Sequence, residues 1–284
     1  MQPAMTSGFF DAADGLKLYC DWYPPSGAAR ATVVVLHGYG EHAGRYAEVA
    51  RRLAGKGFAV VAFDYRGHGQ AGGRRGHCHR FEEYLSDLTR ACAHAREAAG
   101  DHPIALLAHS HGGLIALKAM CTPGALPAGV TAAVLSSPFL GLALKVPLPK
   151  QIAGRLVSRV LPRLAMKNGI DPATVSHDPA IVKAYAEDRF NHKVATARWF
   201  TEMSATQSYV LAHAGAIKLP SLWLLGGDDR IASAATTRAA YEAAGGEKQL
   251  IVYPGYFHEV LNEVGREAVI GDVEAWLSSR FKAA

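Results

Sequence analysis

Long apolar runs are missing from the sequence. Nowhere in its 284 residues does an uninterrupted stretch approach the roughly 18 residues needed to cross a bilayer, so no membrane-spanning helix is expected. Cysteine is scarce. The four thiols, Cys20, Cys78, Cys92 and Cys121, form no C-x-x-C pair, which argues against a thiolate metal site and a disulfide framework alike; reduced thiols are expected. The opening "MQPAMTSGFFDAADG" has neither a basic n-region nor an apolar h-region, and the expected location is the cytoplasm. Internal repeats and low-complexity tracts are absent. The formal net charge of +5 arises mostly from Lys and Arg interspersed with Asp and Glu, not from a clustered basic face, so no nucleic-acid partner is expected.

What is present is enough apolar material, 49 % of residues, to bury a large core in one domain. Short β-branched runs alternate with longer helical patterns. "LKLYCDWY", "ATVVVLHG", "FAVVAFD", "PIALLAHS", "VTAAVLSS", "PSLWLLGG" and "QLIVYPG" read as strands; "RYAEVARRLAGKG", "FEEYLSDLTRACAHAREAAG" and "DVEAWLSSRF" read as helices. That alternation predicts an α/β fold, a mostly parallel sheet with helices on both faces. It fails only between about Phe139 and Ile217, where helical patterns are cut by Pro147, Pro149, Pro162, Pro172 and Pro179. We therefore expect a core of residues 1–138 and 218–284 and a helical cap of residues 139–217 over the ends of the strands it interrupts.

In such sheets ligands gather at the C-terminal strand ends. "LLAHSHGGLIAL" places Ser110 where a strand stops and a helix begins. A serine nucleophile needs its oxygen clear of the backbone, which a tight turn between small residues permits; Ala108 and Gly112 supply them. The His111 amide, at the start of the helix, is then aimed where an oxyanion would form. A plain helix cap is the duller reading of Ser110, but a cap needs no small residues two positions to either side. A serine of this kind requires an imidazole base and a carboxylate from other strand ends. Downstream, "LLGGDDRI" offers Asp228 or Asp229, and "VYPGYFHEVLNE" offers His258.

Four separated motifs, "HGYGEHAGRY", "FDYRGHGQAGG", "AHSHGG" and "GGDDRI" followed by "YPGYFHE", resemble the monoacylglycerol lipase and lysophospholipase branch of the α/β-hydrolases, over nearly the whole chain outside the cap. The resemblance implies an eight-stranded α/β-hydrolase sheet and a triad of Ser110, Asp229 and His258, with Asp229 favoured over Asp228. It also implies Tyr39 as the second oxyanion amide, and Glu41 with Arg45 at the polar end of the substrate. A local ion pair is the plainer reading of Glu41 and Arg45. Asp228 and Asp64 are read as loop-structuring residues. Ala108 departs from the family's usual first glycine by one methyl.

The function these readings imply is hydrolysis of a small-molecule acyl ester of a small polar alcohol, a monoacylglycerol or lysophospholipid, with no cofactor. The alternatives are a serine aminopeptidase or amidase, for which Glu187, Asp188 and Glu202 are the candidate amine-binding carboxylates, and a non-catalytic binding protein that keeps the fold. "HCH" at His77 to His79 has no plausible further ligands, so no metal is expected. His109 and His111 flank Ser110, and neither is placed to act as its base. Between Phe139 and Ile170, Lys145, Lys150, Arg155, Arg159, Arg163 and Lys167 occur without an acidic residue. Ile152, Leu156, Val157, Val160 and Leu161 form an apolar stripe among them. The stripe either closes over the site, the favoured reading, or rests on a micelle or the inner membrane face. The oligomeric state is not readable.

Overall fold

The computed structural model describes residues 4–143 and 148–282. Its strands are β1 (Thr6–Asp11), β2 (Lys17–Tyr23), β3 (Ala31–Leu36), β4 (Phe58–Asp64), β5 (Ile104–His109), β6 (Val130–Ser136), β7 (Ala165–Lys167), β8 (Val194–Thr196), β9 (Ser221–Gly226) and β10 (Lys248–Tyr253). The helices are α1 (Ala47–Gly55), α2 (Glu82–Ala99), α3 (His111–Cys121), α4 (Leu148–Val160), α5 (Pro179–Glu187), α6 (Ala197–His213), α7 (Ala234–Ala243) and α8 (Arg266–Arg280). Eight strands form one sheet in the order β1-β2-β4-β3-β5-β6-β9-β10. Pairing is parallel from β4 across to β10 and antiparallel at β1 and β2.

The sheet's centre explains its sequence. Every residue of β3, β4, β5 and β9 is buried, because helices cover both faces, and a strand covered twice must be apolar throughout. On one face α1 and α8 pack Val49, Leu53, Val273 and Leu277 against Val33, Val35, Val60 and Leu107. On the other, α2, α3 and α6 bring Leu88, Leu114, Trp199 and Met203 against Val34, Leu36 and Leu106. All four cysteines are free and buried in these layers.

Between β6 and β9 the chain leaves the sheet. The expectation of helices alone is corrected here by a two-stranded antiparallel ribbon of β7 and β8, each too short for a periodic signal. α6 returns to the core, and Tyr39 Oη to Val194 O (2.8 Å) and Thr196 N to Gly76 O (3.0 Å) join this segment to the loops beneath.

The favoured reading of the apolar stripe is also corrected. Leu156 is 64 % exposed, Val160 69 % and Leu161 56 %; they face outward, with Arg155 and Arg159 exposed beside them. Among the described side chains, α4 turns Gly154 and Ser158 toward α6. Gly154 comes against Phe200, and Ser158 Oγ bonds Thr201 Oγ1 at 2.8 Å. Lys145 and the side chains of Lys150 and Ile152 lie outside the described residues. Among the described residues no helix is long and apolar enough to cross a membrane.

Candidate active site

Ser110 stands between β5 and α3 with φ 51° and ψ −113°, a conformation that non-glycine residues reach only when the surroundings enforce it. The enforcement is local. Ser110 N donates to Ser136 O (2.9 Å), Phe139 N to Ser110 O (2.9 Å), and Gly112 N to His37 O (3.1 Å), so three strand ends hold one turn. A Cβ on Gly112 would lie 2.5 Å from Leu36 O, and one on Gly113 2.8 Å from Pro138 Cβ. The Gly-Gly pair is therefore what lets α3 start this close to the sheet. Ala108 points its methyl into the apolar layer under α3, where a methyl is at home.

The serine makes no capping bond to its helix. Its Oγ lies 2.8 Å from His258 Nε2, and His258 Nδ1 lies 2.8 Å from Asp229 Oδ2. The carboxylate fixes the tautomer: it accepts from Nδ1–H, leaving Nε2 a bare acceptor for the serine hydroxyl. Asp229 Oδ1 takes the amides of Ile231 (2.8 Å) and Ala232 (2.9 Å). Burial would raise the Asp229 carboxyl, but the His258 charge and hydrogen bond and these amides hold it below its ordinary value. Burial would likewise depress His258, yet Asp229 first, then Glu259 and Glu41, lift it above the ordinary imidazole value of 6.5.

The neighbouring candidates separate cleanly. Asp228 is exposed on the turn and donates its amide to Tyr256 O. Asp64, fully buried, accepts from Ala43 N and Gln70 N, both at 2.7 Å, and so shapes two loops. Burial pushes His109 and His111 down to about 3, which keeps both neutral. His109 bonds Ser136 Oγ at 3.1 Å; His111 contacts Tyr65 Oη (3.1 Å) and receives Trp199 Nε1–H (3.3 Å). His77 Nδ1 bonds Thr196 Oγ1 at 3.0 Å. Among the described residues no three His, Cys, Asp or Glu side chains are grouped to hold a metal.

The turn after β3 abuts the serine, since a Cβ on Gly38 would come within 3.3 Å of Ser110 Cβ; this brings the Tyr39 backbone to the site. Its ring stacks on Trp199 with centroids 3.7 Å apart. Glu41 and Arg45 are found in a buried network. Arg45 pairs with Glu41 and, through both terminal nitrogens, with Glu259 at 2.6 and 2.7 Å. Glu259 is the functional neighbour that the sequence reading missed, because its partner lies 214 positions away.

Above the serine opens a cavity of about 310 Å³, bordered by Tyr39, Phe139, Met166, Trp199 and Met203 and, at its polar end, by Glu41 and Glu259. The proposed amine ligands are elsewhere. Asp188 pairs with His42 at 2.8 Å, Glu202 accepts Phe81 N–H at 3.1 Å, and Glu187 is exposed; none of the three lines the cavity.

A mostly parallel eight-stranded sheet, with a serine on the turn after β5 and an imidazole and an acid on later strand ends, defines an α/β-hydrolase. The family described as serine aminopeptidase, S33, matches residues 27–265, and the chain belongs to it. It is 32 % identical over 277 residues to a monoacylglycerol lipase of Mycolicibacterium smegmatis, covering 96 % of either chain. It is 30 % identical to phospholipase YtpA of Bacillus subtilis, over 87 % of this chain and 94 % of that one. The crystal structure of Paleococcus ferrophilus monoacylglycerol lipase superposes with a TM-score of 0.82 at 31 % identity, covering 92 % of this chain and 98 % of the other.

Proposed function

We propose that this carboxylic ester hydrolase cleaves acyl esters of small polyhydric alcohols, monoacylglycerols foremost, through Ser110, His258 and Asp229. The observation that carries the reading is the unbroken relay of two 2.8 Å contacts from carboxylate to imidazole to hydroxyl. Nε2 of His258 takes the hydroxyl proton as Ser110 Oγ bonds to the ester carbon. The Tyr39 and His111 amides receive the oxyanion, a contribution of about 3 to 4 kcal/mol per donor in comparable sites. The C–O bond then breaks, the alcohol leaves with the proton from His258, and water repeats the steps on the acyl-enzyme. Residues 139–217 form the cap over the acyl chain.

The polar end of the cavity offers acceptors to the hydroxyls of an alcohol. Its two carboxylates, Glu41 and Glu259, are already joined to one guanidinium, and what they retain is lone pairs for hydroxyl donors. None of Glu187, Asp188 and Glu202 lines the cavity, which supports the ester over the aminopeptidase reading, in line with the names of the relatives. The exposed Leu156, Val160 and Leu161 beside Arg155 and Arg159 support contact of the cap with a micelle or an anionic lipid surface.

The test is turnover of monoacylglycerols, lysophospholipids, p-nitrophenyl esters and aminoacyl amides by the wild type and Ser110→Ala. Esters should be cleaved and amides not, a fluorophosphonate should label the wild type alone, and Ser110→Ala should lose about 10⁶-fold in kcat. Wild-type turnover by the variant, or preference for the amides, overturns the reading. Binding without turnover or labelling would point to the non-catalytic alternative.

A further inference from the structure

The residue after the base is tied to the turn that precedes the nucleophile. Glu259 Oε1 and Oε2 take Arg45 Nη1 and Nη2 at 2.6 and 2.7 Å. The same Nη1 donates to Glu41 Oε2, while Glu41 Oε1 accepts the Gly38 amide and, at 2.7 Å, the Tyr46 hydroxyl. Asn262 Nδ2 adds a bond to Glu259 Oε2 at 2.9 Å, and the Glu259 amide donates to Val175 O of the cap, also at 2.9 Å. The side chains of Glu41, Glu259 and Arg45 are only 3 %, 4 % and 9 % exposed. Charges so buried persist only when each has its partners in place.

We infer that Glu259 is a positioning residue: through Arg45 and Glu41 it locks the loop of His258 to the Gly38–Tyr39 turn, so that base and oxyanion amide keep one relative geometry. The inference rests on the triad reading above. Two carboxylates share one guanidinium, so the bridge carries a net negative charge beside the imidazole. The charged and titratable groups that face His258 are Asp229 from the end of β9, Glu41 and Arg45 from the loop after β3, His109 from the end of β5, and Glu259 from its own loop. Of these, His109 is neutral and Arg45 is shared, which leaves Asp229, Glu41 and Glu259 to stabilise the imidazolium.

Glu259→Gln keeps the shape but removes one charge and sets an amide donor against Arg45. Measured on a short p-nitrophenyl ester, whose leaving group offers no hydroxyls to that end of the cavity, it should lower kcat about 10-fold while KM stays within about twofold. The acid limb of kcat/KM should move to lower pH, because an imidazolium with less negative charge beside it loses its proton sooner. Glu259→Asp, which keeps the charge but not the reach, should return the limb toward its wild-type position without restoring kcat. A merely structural role would lower the melting temperature and leave the limb unmoved, and that result overturns the inference; so does a wild-type kcat. Should Glu259→Gln fail to fold, Glu41→Gln, which likewise leaves one carboxylate on Arg45 and removes one negative charge beside the imidazole, carries the same pH readout. An inactive Ser110→Ala beside an unaffected Glu259→Gln removes the bridge alone; an active Ser110→Ala removes the triad reading.

Discussion

The strand ends beneath the cavity and the segment that covers it are built on opposite principles. Below, the side chains of Ser110, His258 and Asp229 are almost wholly buried and every polar atom of the relay has its partner. Above, β7 is exposed throughout and α4 shows Leu156 and Val160 to solvent. Bonds to the loops beneath hold that layer down, among them Tyr39 to Val194, His42 to Asp188 and His177 to Glu263, while its outer surface stays open. The difference teaches where tolerance lies. Positions fixed by three strand ends admit no displacement, because near-attack geometry is lost within about 1 Å; the layer above can vary in shape and surface while the chemistry stays put.

The strongest challenge to that contrast is Asp229→Asn. It preserves the fold but reverses the hydrogen-bond role toward Nδ1, so kcat should fall about 10⁴-fold with little change in melting temperature. In the wild type, kcat/KM should decline toward acid as His258 protonates. Since Asp229 and its neighbours raise that group, the half-maximal point is expected above the ordinary 6.5. A pH–rate profile of kcat/KM checks the sign, and a midpoint below that value contradicts the assigned electrostatics.

A smaller effect is expected at Gly112. An alanine methyl there would meet Leu36 O at 2.5 Å and His37 O at 2.6 Å, both backbone atoms, so the turn itself must shift. Gly112→Ala should destabilise the fold by about 1 to 3 kcal/mol and lower kcat with it, read by denaturant titration and kinetics together. If neither changes, the lower layer is less rigid than described.

The smallest effect on stability should come from the upper layer. Leu156→Ser, Val160→Ser and Leu161→Ser combined should change stability by no more than about 0.5 kcal/mol per site and leave turnover of a soluble short ester intact, while KM for micellar monoacylglycerol rises. A lost melting transition would mean that these side chains are packed after all. Replacing Arg155 and Arg159 by Glu should abolish salt-sensitive binding to anionic vesicles; unchanged binding removes the lipid-contact reading.

The same contrast governs what could be read in advance. "ATVVVL", "FAVVAFD" and "SLWLLG" announce strands because both of their faces are covered. β1, "TSGFFD", passed unnoticed because an edge strand exposes most of its residues. α7, "AATTRAAYEA", buries little beyond Thr237 and Ala240 and left no clear apolar stripe. Ser110 and His258 could be singled out because the proposed nucleophile and base would have to stand at strand ends, and the structure places Ser110 Oγ 2.8 Å from His258 Nε2. The outward turn of Leu156 could not, since an amphipathic pattern defines a stripe without saying what, if anything, covers it. Glu259 was hidden for a different reason: its part depends on a partner that only the tertiary fold brings near.

The four buried thiols give this division of labour a clock. Burial raises all of them, Cys20 and Cys121 to about 11 and Cys92 to about 12, so at neutral pH an alkylating reagent finds neither thiolate nor access until the surrounding structure opens. None of the four falls within residues 139–217. The rate of modification at Cys20 and Cys92 in the native protein therefore counts openings of the layered core, whereas Cys78, which faces Glu202 of α6, also registers movement of the cover.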